Sequence, residues 1–243
     1  MRGSTCSDRP TESDPVHCLV TGAAGGIGAA IVDSLEQSGH AVTAWDLDDV
    51  DVTDAKAVSA AVAELERFTG PVDALVHAAG ILLPDASLSP DSLALHRSIS
   101  VNFFGVVNVC SAVAEKMTSR GDGAIVVVSS NAASVPRAGM AAYGASKAAA
   151  TSWTKTLALE CAPQGVRVNV VSPGSTDTPM LHGLADEAGS IAGDADLYRL
   201  GIPLRRIADP YDVAGACAFL LSPAARHITM HDLRVDGGAT LDA

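Results

Sequence analysis

The chain has 243 residues, 48% hydrophobic and only 18% charged, which fits one large globular domain and argues against a disordered chain. Its formal net charge of -12 argues against nucleic acid and anionic membrane as partners, since both reward clustered Lys and Arg. No run approaches the roughly 18 consecutive apolar residues of a membrane helix, and residues 1–15 lack the apolar core of a signal peptide, so a cytoplasmic protein is expected.

The Ser, Thr, Asp and Pro content of residues 1–15 predicts a flexible tail, leaving 16–243 as a single domain. "VHCLVT" (Val16 to Thr21) then reads as a buried strand stopped by glycine, and Ile27, Ile31, Val32 and Leu35 recur at helical spacing up to Gly39. "AVTAWD" ends a second strand at Asp46. A helix follows over 54–68, a strand over 73–78, a long helix from about Asp91 to Met117, and a strand in "GAIVVVSS". Another helix spans about Ala141 to Cys161, followed by the strand "VRVNVVS", an irregular stretch to Pro210, a helix to Leu221 and a last strand "LRVD". Continuously apolar strands alternating with amphipathic helices predict a doubly wound α/β fold, a parallel sheet covered on both faces. The five cysteines (Cys6, Cys18, Cys110, Cys161, Cys217) are odd in number and never form C-x-x-C, so buried thiols are expected rather than disulfides or a metal site.

The first strand runs into "TGAAGGIG", where Gly22, Gly26 and Gly28 let the backbone turn tightly and approach a pyrophosphate held by the next helix's N-terminus. A glycine-rich turn alone is weak evidence. Asp46 strengthens it, because it stands 18 residues beyond Gly28, where a carboxylate accepts hydrogen bonds from adenosine ribose hydroxyls. The same carboxylate repels a 2'-phosphate, and no Lys or Arg lies in the turn or directly after Asp46, so NAD is expected over NADP. Asp48 and Asp49 are also compatible with a solvated loop, and the segment lacks the glycine and terminal glutamate of a calcium site.

Tyr143 and Lys147 stand four residues apart on one helix and share a face, where an ammonium would favour the phenolate and fit the phenol for general base work. Ser130 closes its strand at the carboxyl end, where open α/β sheets place ligands, and precedes Tyr143 by thirteen residues. "YGASKA" is not a nucleophile elbow, and His227 and His231 lack the glutamate of a zinc hydrolase.

With these residues in view, the chain resembles the short-chain dehydrogenase/reductases over nearly all of residues 16–243, through "TGAAGGIG", "HAAG" (His77 to Gly80), "VNFFG", Ser130, "YGASK" and "VSPGSTDT". The resemblance implies a Rossmann-type sheet with Tyr143 as acid/base, Lys147 lowering its pKa and binding the nicotinamide ribose, Ser130 polarising the substrate oxygen, and Asn102 holding a relay water. It implies a cofactor site of Gly22, Gly26, Ile27, Gly28, Asp46, Asp51, Val52, Ala79 and Gly80, with Pro173, Gly174, Thr176 and Thr178 closing on the nicotinamide. A homotetramer through the Tyr143 helix is implied as well.

Two departures stand out. His77 occupies a position usually held by asparagine, which questions a structural hydrogen bond there. Only four residues separate Asp46 from Asp51, and five steps of extended chain span at most roughly 17 Å, so the usual third, edge strand is expected to be missing or a stub.

Within the family, "PRAGMAAYGASKAA", "RVNVVSPGSTDTPM", "LGIPLRRIADP" and "HITMHDLRVDGGATLDA" resemble dehydrogenases that oxidise the C3 alcohol of 2,3-dihydro-2,3-dihydroxybenzoate with NAD in catecholate siderophore synthesis. That resemblance implies a small cyclohexadiene carboxylate as substrate. Arg137, in the loop between Ser130 and Tyr143, is the candidate anchor for the carboxylate, with Ser130 and Met180 beside the substrate. Enzymes acting on trans-2,3-dihydro-3-hydroxyanthranilate fit the same motifs, with Asn131 a candidate to face C2. An NADPH-dependent ketoacyl reductase fits Asp46 poorly, and an NAD-sensing protein without turnover is the alternative from another class. The segment 179–203, rich in Gly, Ala and acidic residues, is expected to form a substrate lid.

Overall fold

The first strand, β1 (His17–Thr21), sends Leu19 into one apolar core and Cys18 and Val20 into another, and this alternation sets the architecture. The computed structural model describes residues 15–182 and 187–241. The tail expected over 1–15, Cys6 included, thus lies outside the described residues except for Pro15, as do residues 183–186 of the expected lid.

After β1 come α1 (Gly26–Gln37), β2 (Ala41–Trp45), α2 (Ala55–Thr69) and β3 (Ala74–His77). Then follow α3 (Ser92–Ile99), α4 (Gly105–Arg120), β4 (Gly123–Val128), α5 (Ala141–Cys161) and β5 (Val166–Pro173). The irregular stretch contains α6 (Pro179–His182), α7 (Glu187–Ala192) and the short antiparallel pair β6 (Gly193–Asp194) and β7 (Arg199–Leu200), and the described chain closes with α8 (Pro210–Leu221) and β8 (Asp232–Val235). Six parallel strands form one sheet in the order β2-β1-β3-β4-β5-β8. Leu75, Ile125, Val127 and Val168 join Leu19 under α2, α4 and α5, whereas Val76, Val126, Val128 and Val171 join Val20 under α1 and α8. Covering both faces is what these uninterrupted apolar strands require.

The missing edge strand is as expected. Directly after β2 the backbone N–H groups of Asp49 and Val50 both donate to the Asp46 carbonyl, at 3.0 and 2.9 Å, making a turn. Asp54 then caps α2 by accepting from Lys56 and Ala57. β2 is therefore the edge of the sheet.

The long helix expected from Asp91 to Met117 is not uniform. A π turn over Ser100–Phe104 separates α3 from α4, widening the helix by one residue around Asn102. By length and composition the stretch Ser92–Arg120 could cross a membrane, but Val106, Val109, Cys110, Val113, Ala114 and Met117 are buried in the core. Cys18, Cys110, Cys161 and Cys217 are buried and free.

The chain passes from β1 outward to β2 and then to β3 on the opposite side of β1, so the sheet has its topological switch between β1 and β3. There Thr21 stands level with His77, at the ends of the two strands. A crevice at this point is where doubly wound sheets bind ligands.

Candidate active site

The glycine turn after β1 fits its neighbours too closely for any side chain. Gly22 adopts a φ of +70°, and a Cβ there would stand 2.5 Å from the Ala79 nitrogen. At Gly26 a Cβ would come within 2.7 Å of Thr178 Cγ2. α1 begins at Gly26 with no side-chain cap, so its first N–H groups remain available to an anion.

This turn forms one wall of a cleft of about 740 Å³. Gly22, Gly26, Ile27, Gly28, Asp46, Asp51, Val52, Ala79, Gly80, Thr178 and Met180 all line it. Arg97 from α3, which the sequence reading did not single out, lines it too. Pro173, Gly174 and Thr176 do not: the Thr176 side chain is buried, its hydroxyl donating to the Gly174 carbonyl at 3.2 Å.

Asp46 is held by backbone at both oxygens. Oδ2 accepts from Ala24 N–H and Oδ1 from Leu47 N–H, each at 2.8 Å. A carboxylate offers about four acceptor sites, so acceptor capacity remains on both oxygens. Asp51 turns its Oδ1 to Thr53, and Val52 is buried with its carbonyl taken by Asn108. The cradle of glycines, the uncapped helix start and the fixed carboxylate together fit a dinucleotide.

At the other end of the cleft, a Cβ on Gly80 would meet Lys147 Nζ at 3.1 Å and Asn102 Oδ1 at 3.2 Å, so both side chains reach the cleft wall. The π turn aims Asn102 inward. Its Oδ1 accepts from Ile81 N–H at 2.8 Å, while its Nδ2 donates to the Ile81 carbonyl and to Ser146 Oγ, each at 2.9 Å. Lys147 Nζ donates to the Val128 carbonyl at 3.0 Å, and burial pushes its pKa down to about 8. Ser130 stands extended at the end of β4 and caps a 3₁₀ turn, accepting from Ala132 N–H at 3.1 Å. Tyr143 and Ser130 are both buried, close enough for the serine to act on the phenol.

The electrostatics differ from the sequence expectation at Tyr143. Burial pushes the phenol up, and the opposing pull comes from Ser130 rather than from Lys147. The ammonium sits 6.0 Å from the ring centroid and is turned to Val128. Helix α5 has no cap of its own, and Asp85 from the loop after β3 supplies one, accepting from Ala142 N–H at 3.2 Å. No signal in the sequence linked Asp85 to that helix.

His77 keeps a structural hydrogen bond despite the departure from asparagine. Its Nδ1 pairs with Thr21 Oγ1 at 2.9 Å, tying β3 to β1. Burial, helped by the Lys147 charge, pushes its pKa down to about 3, so the ring is neutral. Asn131 is turned away to donate to Asp236 at 3.2 Å. Arg137 is half-buried in the loop before α5.

The family described as enoyl-(acyl carrier protein) reductase matches residues 22–240, nearly the whole described chain. The chain belongs to the short-chain dehydrogenase/reductases. As a member it is an alcohol-oxidising dehydrogenase that uses a nicotinamide cofactor. A 2,3-dihydro-2,3-dihydroxybenzoate dehydrogenase of Bacillus subtilis is 43% identical to it, covering 92% of this chain and 95% of that protein. A vibriobactin-specific enzyme of the same name from Vibrio cholerae is 42% identical, covering 92% and 95%. Among solved structures, a gluconate 5-dehydrogenase from Burkholderia cenocepacia, in complex with NADP and tartrate, superposes with a TM-score of 0.85 at 29% identity, covering 95% of this chain and 97% of that one.

Proposed function

We propose that this short-chain dehydrogenase/reductase oxidises the C3 alcohol of 2,3-dihydro-2,3-dihydroxybenzoate with NAD. The observation that carries the reading is its likeness, at 43% and 42% identity over 92% of the chain, to two dehydrogenases of that substrate. A bound nicotinamide supplies the hydride acceptor for C3. Ser130 Oγ holds the C3 hydroxyl, and Tyr143 takes its proton. Lys147, with one donor on Val128, directs its remaining donors to the nicotinamide ribose. Asn102 keeps the Ile81 backbone in place beside them. The resulting C3 ketone shifts its C2 proton to oxygen and becomes an aromatic catechol, which draws the reaction forward. Arg137 binds the carboxylate, and the protein works as a homotetramer.

The case for NAD rests on Asp46. Its fixed carboxylate accepts the adenosine ribose hydroxyls, and a 2'-phosphate in the same place would meet a negative charge. Replacing Asp46 with alanine should raise KM for NAD by about tenfold and narrow the preference for NAD over NADP, read from initial rates with each cofactor. A native protein that works better with NADP would refute this assignment.

The direct test is to follow reduced cofactor at fixed NAD with 2,3-dihydro-2,3-dihydroxybenzoate and with trans-2,3-dihydro-3-hydroxyanthranilate. Turnover of the dihydroxy acid is expected. Turnover of the amino acid alone would transfer the reading to the anthranilate reaction.

A further inference from the structure

Tyr143 lies in the first turn of α5, a helix with no side-chain cap of its own, so its position depends on what holds that turn. On one side the turn packs against the short helical turn that follows Ser130. A Cβ at Gly144 would stand 3.0 Å from the Ala132 carbonyl oxygen, and Ala132 N–H donates to Ser130 Oγ. On the other side stands Asp85. Both of its carboxylate oxygens accept from Ala142 N–H at 3.2 Å, and its own N–H donates to the Gly139 carbonyl at 3.1 Å. Ala142 and Gly144, the two neighbours of Tyr143, are thus fixed from different directions.

The loop that carries Asp85 is also held at its other end. Ile81 exchanges two hydrogen bonds with Asn102, which donates to Ser146, and the Ser146 hydroxyl donates to the Tyr143 carbonyl at 2.7 Å. The segment from Ile81 to Asp85 is therefore a strap tied to α5 twice, through Asn102 and Ser146 at one end and through Asp85 at the other. Ile81, Leu82, Leu83 and Asp85 are half-buried, whereas every residue from Ala86 to Leu93 is exposed. Asp85 is where the hold ends. Without its carboxylate, Ala142 N–H loses its acceptor and the strap keeps only the backbone bond to Gly139.

We propose that Asp85 is a positioning residue for the oxidation, clamping the strap to the start of α5 and so holding Tyr143 in place beside Ser130. This rests on the reading of Tyr143 as the group that takes the substrate proton. A side chain is needed here because a displacement of about 1 Å at the reacting groups can cost about 10²-fold in rate. The carboxylate acts through the placement of its oxygens, and its charge is incidental to that task.

The experiment compares native protein with Asp85→Ala, Asp85→Asn and Asp85→Glu in kcat per NAD-binding site and in KM for NAD. Both 2,3-dihydro-2,3-dihydroxybenzoate and trans-2,3-dihydro-3-hydroxyanthranilate serve as substrates. Asp85→Asn keeps an acceptor oxygen at the same reach without the charge, whereas Asp85→Glu keeps the charge and moves the oxygens by a methylene. The alanine variant should lose about 10- to 100-fold in kcat and the glutamate variant about tenfold, while the asparagine variant stays within about threefold. KM for NAD should stay within about twofold in all three. Native kcat per NAD-binding site in Asp85→Ala would show that Asp85 only stabilises the fold, and an Asp85→Glu variant at least as active as Asp85→Asn would show that placement is not what matters. Either result overturns the proposal, and if Asp85→Ala binds no NAD the order of the other two decides it. Tyr143→Phe, measured alongside, separates the two readings. Lost turnover there with native kcat in Asp85→Ala overturns the clamp alone, whereas retained turnover in Tyr143→Phe overturns the role of Tyr143 and the clamp with it. Native turnover of the amino acid alone moves the substrate assignment and leaves the comparison of variants intact, and turnover of neither acid overturns both readings.

Discussion

Replacing Tyr143 with phenylalanine is expected to lower kcat by about 10²- to 10⁴-fold, the usual contribution of a positioned acid/base, while NAD still binds. The substitution keeps the buried ring and removes only the hydroxyl that meets Ser130. A base must be deprotonated to act, and burial pushes this phenol up, so kcat/KM should climb as pH rises and fall as pH drops. The phenylalanine variant should lack that rise. Initial rates between about pH 6 and 10, with a cofactor-binding titration alongside, measure both effects. A variant that keeps more than about a tenth of native turnover would remove Tyr143 from the chemistry.

Replacing Lys147 with methionine should act in opposite directions on activity and stability. Turnover should fall by about 10²-fold or more, because the ammonium that faces the Gly80 wall is gone. The folded protein should nevertheless become more stable at pH 7. Burial lowers the lysine's pKa to about 8 from 10.5, which means that the folded state carries its charge at a cost that the unfolded chain does not bear. That cost is present in full below about pH 8 and disappears as the pH rises toward 10.5, where the lysine is neutral in both states. The methionine variant should gain on the order of 2 kcal/mol at pH 7, less the hydrogen bond to Val128, and its advantage should shrink through that window. Urea titrations at three pH values spanning it would show this, and a variant that is less stable at pH 7 would contradict the burial argument.

Much of the fold was readable because its signals are local. β1, β3, β4 and β5 are runs of apolar residues that need cover on both faces, and the distance from Asp46 to Asp51 is too short for another strand and helix. Asp46, Ser130, Tyr143 and Lys147 were readable as candidates because each follows from position on one strand or one helix. The π turn at Asn102 was not, since "SVNFF" keeps the apolar spacing of an ordinary helix and the extra residue is forced by packing. The partner of His77 depends on the register between β1 and β3, which no single strand encodes. The upward push on Tyr143 depends on how deeply α5 is buried, which spacing alone does not report.

Ending the sheet at β2 leaves a row of unpaired backbone groups that another chain could join, the usual route from an exposed edge to aggregation. The strand is only five residues long, and it runs straight into Asp46, Asp48, Asp49 and Asp51. Two copies aligning edge to edge in parallel would bring eight carboxylates together. The acidic turn that borders the glycine-lined cleft thus disfavours parallel edge pairing, and Asp48→Asn is the substitution that weakens this without removing the Asp49 carboxylate that accepts from Asp46 N–H.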